Sequence, residues 1–146
     1  MKTKIHGFFG IVALLCVLSF WIGTVVSEIF GSPADIALVK LSILKGMMVL
    51  VPAMVLAGAS GFSMKWRGPM VELKKRRMKI IAANGVLILL PLAFFLSNRA
   101  QIGDFDAWFY GVQIVELLAG ATNISLLSLN MRDGIMSVRK RRAKAG

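Results

Sequence analysis

Four long apolar stretches divide the chain and predict its architecture. They cover residues 7–30, 36–62, 80–97 and 107–130. A helix needs roughly 18 to 20 apolar residues to cross the hydrocarbon core of a bilayer, and each stretch is near or above that length. The pattern predicts an all-α membrane protein with four transmembrane helices, TM1 to TM4, in a single integral membrane domain over residues 1–146.

Short polar segments separate the first two stretches and the last two. Residues 31–35 contain glycine, proline and aspartate, which are typical of a tight turn, and residues 98–106 form a polar connector. Short connections of this kind join helices into antiparallel hairpins, so we expect an antiparallel bundle. The longer segment 63–79 contains Pro69, which favours the first turn of a helix. We therefore expect a helical extension of TM3 from about residue 69.

The amino-acid composition excludes a soluble globular protein. Hydrophobic residues make up 57% of the chain and charged residues 17%, which is more apolar surface than a soluble domain of 146 residues can bury. The single cysteine, Cys16, excludes a disulfide within the chain and any Cys-rich zinc site. We find no catalytic motif, and the pattern favours a protein that is not an enzyme.

The distribution of positive charge predicts the orientation. Lysine and arginine precede TM1, fill the segment between TM2 and TM3 and follow TM4, whereas the opposite side holds only Arg99. Positive residues near a span are retained on the cytoplasmic side. The count predicts a multi-pass protein of a bacterial inner membrane with both termini in the cytoplasm.

The basic clusters also indicate a partner. A net charge of +11 would suggest nucleic acid in a soluble protein, but here the charges lie at the ends of apolar spans, where anionic lipid headgroups are nearer. We therefore expect no nucleic acid and assign residues 135–146 to a basic tail. The residues expected at the headgroups are Lys74, Lys75, Arg76, Arg77, Arg139 and Arg141.

A cleaved signal peptide over residues 1–27 is the competing interpretation of TM1. This segment has a basic start, and Val25 and Ser27 suit the small-residue positions before a cleavage site. Its apolar run is longer than the usual 7 to 15 residues of a signal core, however. Trp21 and Glu28 fit an interfacial anchor, and we favour a retained helix.

Three ionisable residues lie within the predicted spans: Lys40, Lys45 and Glu116. Such groups are costly in hydrocarbon and usually face the interior of a bundle. Lys45 lies nine residues past Ile36, and Glu116 nine past Ala107, so both fall about 14 Å from the outer ends of their helices. Equal depth predicts a Lys45–Glu116 pair at the centre of a polar core. Lys40 is nearer the surface, where it can snorkel or meet Glu28.

Polar residues also recur on single faces of TM3 and TM4. The TM4 stripe, spaced by three and four, consists of Gln113, Glu116, Gly120, Asn123, Leu127 and Asn130. This spacing predicts that the stripe faces the bundle interior. TM3 carries Asn84, Pro91 and Asn98 at intervals of seven, which predicts a second stripe. Asn84 and Asn123 should lie at one depth and share a hydrogen bond. Interhelical amides and buried ion pairs can also have a purely structural role, in which they hold helices together without binding a ligand or moving a proton.

His6 is the only histidine, and it is a candidate haem ligand. Histidine is the commonest haem ligand, but a bis-histidine haem needs a second imidazole that this chain lacks. A haem b site would therefore require a methionine, a symmetric dimer or a partner subunit to supply the other ligand. We expect no cofactor or metal and retain haem as the alternative.

Two classes of function are consistent with this pattern. The first is a binding, transport or complex-assembly protein whose intramembrane core comprises Lys45, Glu116, Gln113, Asn84, Asn123 and Lys40. The second is a membrane-anchored redox subunit that uses His6. Other membrane subunits or a homo-oligomer are the expected protein partners.

Overall fold

The computed structural model describes residues 2–63 and 68–145, which are helical apart from short connections. The α-helices are α1 (Lys2–Phe30), α2 (Pro33–Phe62), α3 (Pro69–Asn84), α4 (Leu90–Gln101) and α5 (Ala107–Ala145). A π-helical segment, Gly85–Leu89, joins α3 to α4 without a break. Four stretches are long and apolar enough to cross a membrane: Lys4–Phe30, Pro33–Phe62, Pro69–Gln101 and Ala107–Arg139. The expectation of an all-helical chain with four such helices is confirmed.

The turn between α1 and α2 follows from its local chemistry. Ser32 accepts a hydrogen bond from the backbone N–H of Asp35, and the Asp35 carboxylate accepts one from the backbone N–H of Ser32. This reciprocal capping satisfies N–H groups that the first helical turn leaves free. Pro33 occupies the first turn, where a missing N–H costs nothing. Two residues therefore suffice to connect two long helices.

The π-helical segment has its cause in Pro91. Proline has no N–H, and its ring would clash with the carbonyl of Leu87, four residues earlier. The chain avoids this clash by widening one turn, in which the N–H of Leu90 donates to the carbonyl of Gly85. The wider turn holds one extra residue and rotates α4 by about 100° relative to α3.

That rotation corrects one expectation from the sequence. Asn84, Pro91 and Asn98 do not form a common inward stripe, because Pro91 and Asn98 are exposed whereas Asn84 is half-buried. Their intervals of seven would keep them on one face of a regular α-helix. The π turn breaks that register, so the inward face of α4 carries Ala93, Leu96 and Ala100 instead.

Two apolar clusters build the core. The larger one joins α1, α2 and α4 through Ala13, Val17, Ile43, Met47, Leu50 and Ala93. The smaller one joins α2, α4 and α5 through Ile36, Leu96, Ala100 and Phe109. We call this side of the molecule the Phe109 end.

The opposite side, which we call the Asp133 end, is joined by polar contacts. His6 on α1 bonds to the carbonyl of Ala57 on α2, and Arg77 on α3 bonds to Asp133 on α5. A Cβ placed on Gly61 would lie 2.9 Å from the Met78 methyl group and 3.0 Å from the His6 ring. Three helices therefore meet closely at this glycine.

Candidate functional site: a polar cluster inside the bundle

A buried ion pair links α2 to α5. The Lys40 ammonium donates to Oε2 of Glu116 at 2.5 Å, and the two side chains are 1% and 11% exposed. A second, longer contact of 3.5 Å joins the Lys40 ammonium to the Thr24 hydroxyl on α1. Together the two contacts join α1, α2 and α5. Breaking the ion pair would be costly, because it would leave a buried charge without a partner.

The position of Lys40 follows from helical periodicity. The buried stripe of α2 includes Ile36, Lys40, Ile43, Met47 and Leu50, which are spaced by four and three. Lys40 therefore lies on the face that meets the other helices. Lys40 lies closer to the start of its helix than Glu116 does to the start of α5, and the long lysine side chain spans the difference.

Glu116 is held from a second direction by its own helix. The side-chain amide of Gln113, one turn earlier on α5, donates to Oε2 of Glu116 at 3.0 Å. The same carboxylate oxygen thus accepts from Lys40 and from Gln113. Two donors on one oxygen orient the carboxylate and stabilise its negative charge.

A second carboxylate, that of Glu28, accompanies the pair. Glu28 lies one helical turn beyond Thr24 on α1, on the same face as the hydroxyl that contacts Lys40. Its Oε1 atom is buried and has no hydrogen-bond partner among the described residues. The same holds for Oε1 of Gln113. The cluster therefore contains two buried acceptor atoms that nothing in the described chain satisfies.

A small cavity of about 40 Å³ adjoins Glu116. Its polar lining comes from Thr24, Trp21 and Glu116, and the rest is apolar. The indole N–H of Trp21 donates to the carbonyl of Leu117 at 3.0 Å, which fixes the ring as one wall of the cavity. A water molecule needs about 10 to 15 Å³ of such space, so the cavity has room for two or three waters or a small ion.

The predicted Lys45–Glu116 pair is wrong. Lys45 is exposed and lies five residues beyond Lys40, which places it about 140° around the helix from the lysine that does bind Glu116. Counting residues gives depth along a helix but not the face on which a residue lies. The polar core is therefore centred on Lys40 and Glu116, and Lys45 is not part of it.

The predicted hydrogen bond between Asn84 and Asn123 is confirmed. The Asn84 amide donates to Oδ1 of Asn123 at 2.8 Å and also lies 2.8 Å from the carbonyl of Ala119. Asn123 is 1% exposed, and its own amide lies 3.4 Å from the carbonyl of Ile81. These bonds join α3 to α5 along the polar stripe of α5.

Asp133 is the main polar residue that the sequence analysis missed. Its side chain is 4% exposed and accepts a hydrogen bond of 2.7 Å from Arg77, with Arg132 at 3.4 Å. It lies three residues beyond Asn130, so it continues the stripe that includes Gln113, Glu116 and Asn123. Continuing that spacing past the apolar stretch would have found it.

The residues expected at lipid headgroups divide into two groups. Arg77 is engaged by Asp133, and the Lys74 ammonium lies 3.4 Å from where a Cβ on Gly134 would be. Arg76 and Arg139 are exposed, and Lys75 is half-buried. The side chain of Arg141 lies outside the described residues. Headgroup contact stays a prediction.

His6 lies at the Asp133 end, away from the polar cluster. Its Nδ1 lies 2.8 Å from the carbonyl of Ala57, which can only accept, so Nδ1 carries the proton. The bond fixes the ring between α1 and α2. Within the described part of the chain, no three His, Cys, Asp or Glu side chains converge in a way that could hold a metal ion.

Comparison with known proteins gives no relative from which a role could be transferred. No protein-family model, no curated protein and no solved structure matches this chain. What can be concluded about function therefore comes from the four apolar helices, which are compatible with a small membrane protein, and from the chemistry of the buried cluster.

Proposed function

We propose that this is a small multi-pass membrane protein of the binding and transport class whose buried cluster binds a proton or a small monovalent cation. The observation that carries the proposal is the unpartnered, buried Oε1 of Glu28 beside the Lys40–Glu116 pair. When both carboxylates are ionised, they and the one ammonium leave one negative charge in excess. A bound cation or proton would neutralise that charge. Glu116 and Thr24 supply oxygen atoms at the adjoining cavity, and Oε1 of Glu28 accepts no hydrogen bond among the described residues.

The size of the site supports a small ligand. The cavity of about 40 Å³ beside Glu116 admits a few waters or one small ion, but not an organic substrate. Carboxylate and amide oxygens are hard donors that suit protons and alkali cations rather than soft metals. These features favour a proton or a monovalent cation.

The polar face of α5 offers a route through the molecule. Gln113, Glu116, Asn123, Asn130 and Asp133 follow one another along this face at helical spacing. Between Glu116 and Asn123 the cavity reaches Gly120, where side-chain bulk is smallest. Aspartate and glutamate side chains form proton relays in membrane proteins, and Glu116 and Asp133 are the carboxylates of this face.

The proposal includes an antiparallel bundle with both termini in the cytoplasm of a bacterial cell. It is supported by the clustering of lysine and arginine before TM1, between TM2 and TM3, and after TM4. Reporter fusions after Arg77 and at Gly146 should be active in the cytoplasm, and fusions near Pro33 and Gly103 in the periplasm. A periplasmic signal at Gly146 would contradict this topology.

Ion movement can be measured in vesicles that contain the purified protein and a trapped pH-sensitive dye. After a pH step the unaltered protein should speed equilibration relative to protein-free vesicles. Glu28→Gln and Glu116→Gln should slow it at least tenfold, because each removes a carboxylate that holds the ion. A sodium-sensitive dye distinguishes sodium from protons in the same preparation.

Lys45→Met is the matched control for this assay, because it removes a lysine of α2 that lies outside the cluster. It should leave the flux unchanged. If neither protons nor sodium cross faster than in protein-free vesicles, the proposal is overturned, and the buried pair serves only to hold the helices together.

A further inference from the structure

Lys45 has an unusual position for a charged residue. It is exposed on α2, opposite the buried stripe, and lies about 14 Å along the helix from Ile36. In a hydrocarbon core about 30 Å thick, this depth places its side chain near the middle. A lysine there costs about 2.5 to 3.5 kcal/mol on insertion scales, and such residues normally face a partner.

The chain itself offers Lys45 no carboxylate. The chain has seven acidic residues, all of them among the described residues. Glu116 is bound by Lys40, and Asp133 is bound by Arg77. None of the seven forms an ion pair with Lys45 within residues 2–63 and 68–145.

A second copy of the chain would not solve this shortage. A two-fold axis through this face would bring two lysines together. Like charges in a medium of low dielectric constant repel strongly. Glu116, the acidic residue nearest the depth of Lys45, is already bound by Lys40. The other carboxylates of a second copy lie in connections or towards helix ends, away from that depth: Glu28, Asp35, Glu72, Asp104, Asp106 and Asp133. A complementary partner must therefore be a different chain that carries its own carboxylate.

A groove that begins one helical turn from Lys45 can take side chains of such a partner. It lies between α2 and α4, has a volume of about 490 Å³, and begins at Leu41, one helical turn from Lys45. Leu44, Phe94 and Phe95 give it apolar walls, and Asn98 places an exposed amide along it. Transmembrane helices associate through close packing combined with a few polar contacts of this kind.

We propose that Lys45 and the α2–α4 groove form the docking surface for a transmembrane helix of another protein that carries an aspartate or glutamate at the depth of Lys45. The carboxylate pairs with the Lys45 ammonium, and the apolar side of the helix fills the groove. The carboxylate neutralises an ammonium group that hydrocarbon cannot solvate, so the surface should prefer an acidic helix.

Synthetic helices in neutral phosphatidylcholine vesicles test this directly. Three leucine- and alanine-based transmembrane peptides are prepared with glutamate, glutamine or leucine at the central position. Energy transfer between each labelled peptide and the C-terminally labelled protein reports association. The glutamate peptide should bind at least tenfold more tightly than the leucine peptide, with the glutamine peptide in between.

Variants of the protein assign the effect to Lys45. Lys45→Leu should abolish the preference for glutamate, whereas Lys45→Arg should retain it. Met48→Leu changes a neighbouring exposed residue of the same helix without altering charge, and should bind like the unaltered protein. Equal binding of the glutamate and leucine peptides to the unaltered protein would overturn the proposal, with Lys45 then snorkelling to the headgroups. A preference that survives in Lys45→Leu would also overturn it.

Discussion

Among the described residues, two ion pairs connect α5 to other helices, and they differ in which charge is more deeply buried. Towards the Phe109 end, the cation Lys40 is 1% exposed and its partner Glu116 is 11% exposed. At the Asp133 end, the anion Asp133 is 4% exposed and its partner Arg77 is 15% exposed. The helix thus accepts a cation from α2 near one end and a cation from α3 near the other.

The surroundings of the two pairs differ in the sign of the excess charge. Glu28 adds a second negative charge to the first pair, whereas Arg132 and Lys74 add positive charge around Asp133. The first pair lies within predicted spans, and the second lies where the helices leave the apolar region. Breaking the two pairs should therefore have different costs, because the dielectric environment determines how well the remaining charge is solvated.

The largest effect is expected from separating Lys40 and Glu116. Lys40→Met or Glu116→Leu should each lower the free energy of unfolding in detergent by about 3 to 5 kcal/mol, because each leaves a buried charge without a partner. The double variant should recover part of this loss, since an apolar pair carries no desolvation penalty. Thermal unfolding of the four proteins measures both effects.

Lys79→Met provides the control for that experiment, since it removes an exposed lysine of α3 that forms no ion pair among the described residues. It should leave the unfolding midpoint nearly unchanged. Single variants at Lys40 and Glu116 whose losses simply add in the double variant would show that the two side chains do not interact energetically.

A smaller loss is expected at the Asp133 end. Asp133→Asn should destabilise the protein by about 1.5 to 3 kcal/mol, because it weakens a charge-assisted hydrogen bond and leaves several cations close together. Added salt should reduce the difference, since screening acts on charges near water. Glu72→Gln on α3 is the control, because Glu72 is exposed. If Asp133→Asn and Glu72→Gln lose the same stability and respond equally to salt, the Arg77–Asp133 pair contributes no more than an exposed charge does.

The smallest effect concerns the uncharged link between α3 and α5. Asn84→Leu and Asn123→Leu should show a coupling of about 0.6 kcal/mol in a double-mutant cycle, the typical value for interhelical hydrogen bonds in membranes. Combining Asn84→Leu with Thr122→Val, next to Asn123 but exposed, should give additive losses. If the coupling free energy of Asn84 and Asn123 equals that of Lys40 and Glu116, charge does not explain the difference between the hydrogen bond and the ion pair.

Residue counting along the sequence located some contacts and misplaced others for identifiable reasons. The four helices follow from the length of their apolar runs. The Asn84–Asn123 bond follows from matching depth together with the polar stripe of TM4, because Asn84 precedes the π turn that breaks the expected TM3 stripe. Lys45 was paired by depth alone, although the spacing of Ile36, Lys40 and Ile43 already indicated another face. The unpaired Oε1 of Glu28 depends on how three helices pack together, which no local pattern contains.

The π-helical segment Gly85–Leu89 lets one continuous helix serve two neighbours. α3 packs mainly against α5, whereas α4 packs mainly against α2. The number of residues in the turn, rather than the identity of their side chains, determines this division. Apolar substitutions within the segment should therefore be tolerated. Deletion of a single residue such as Ile88 would rotate α4 by about 100° and turn Leu96 and Ala100 away from the Phe109 end.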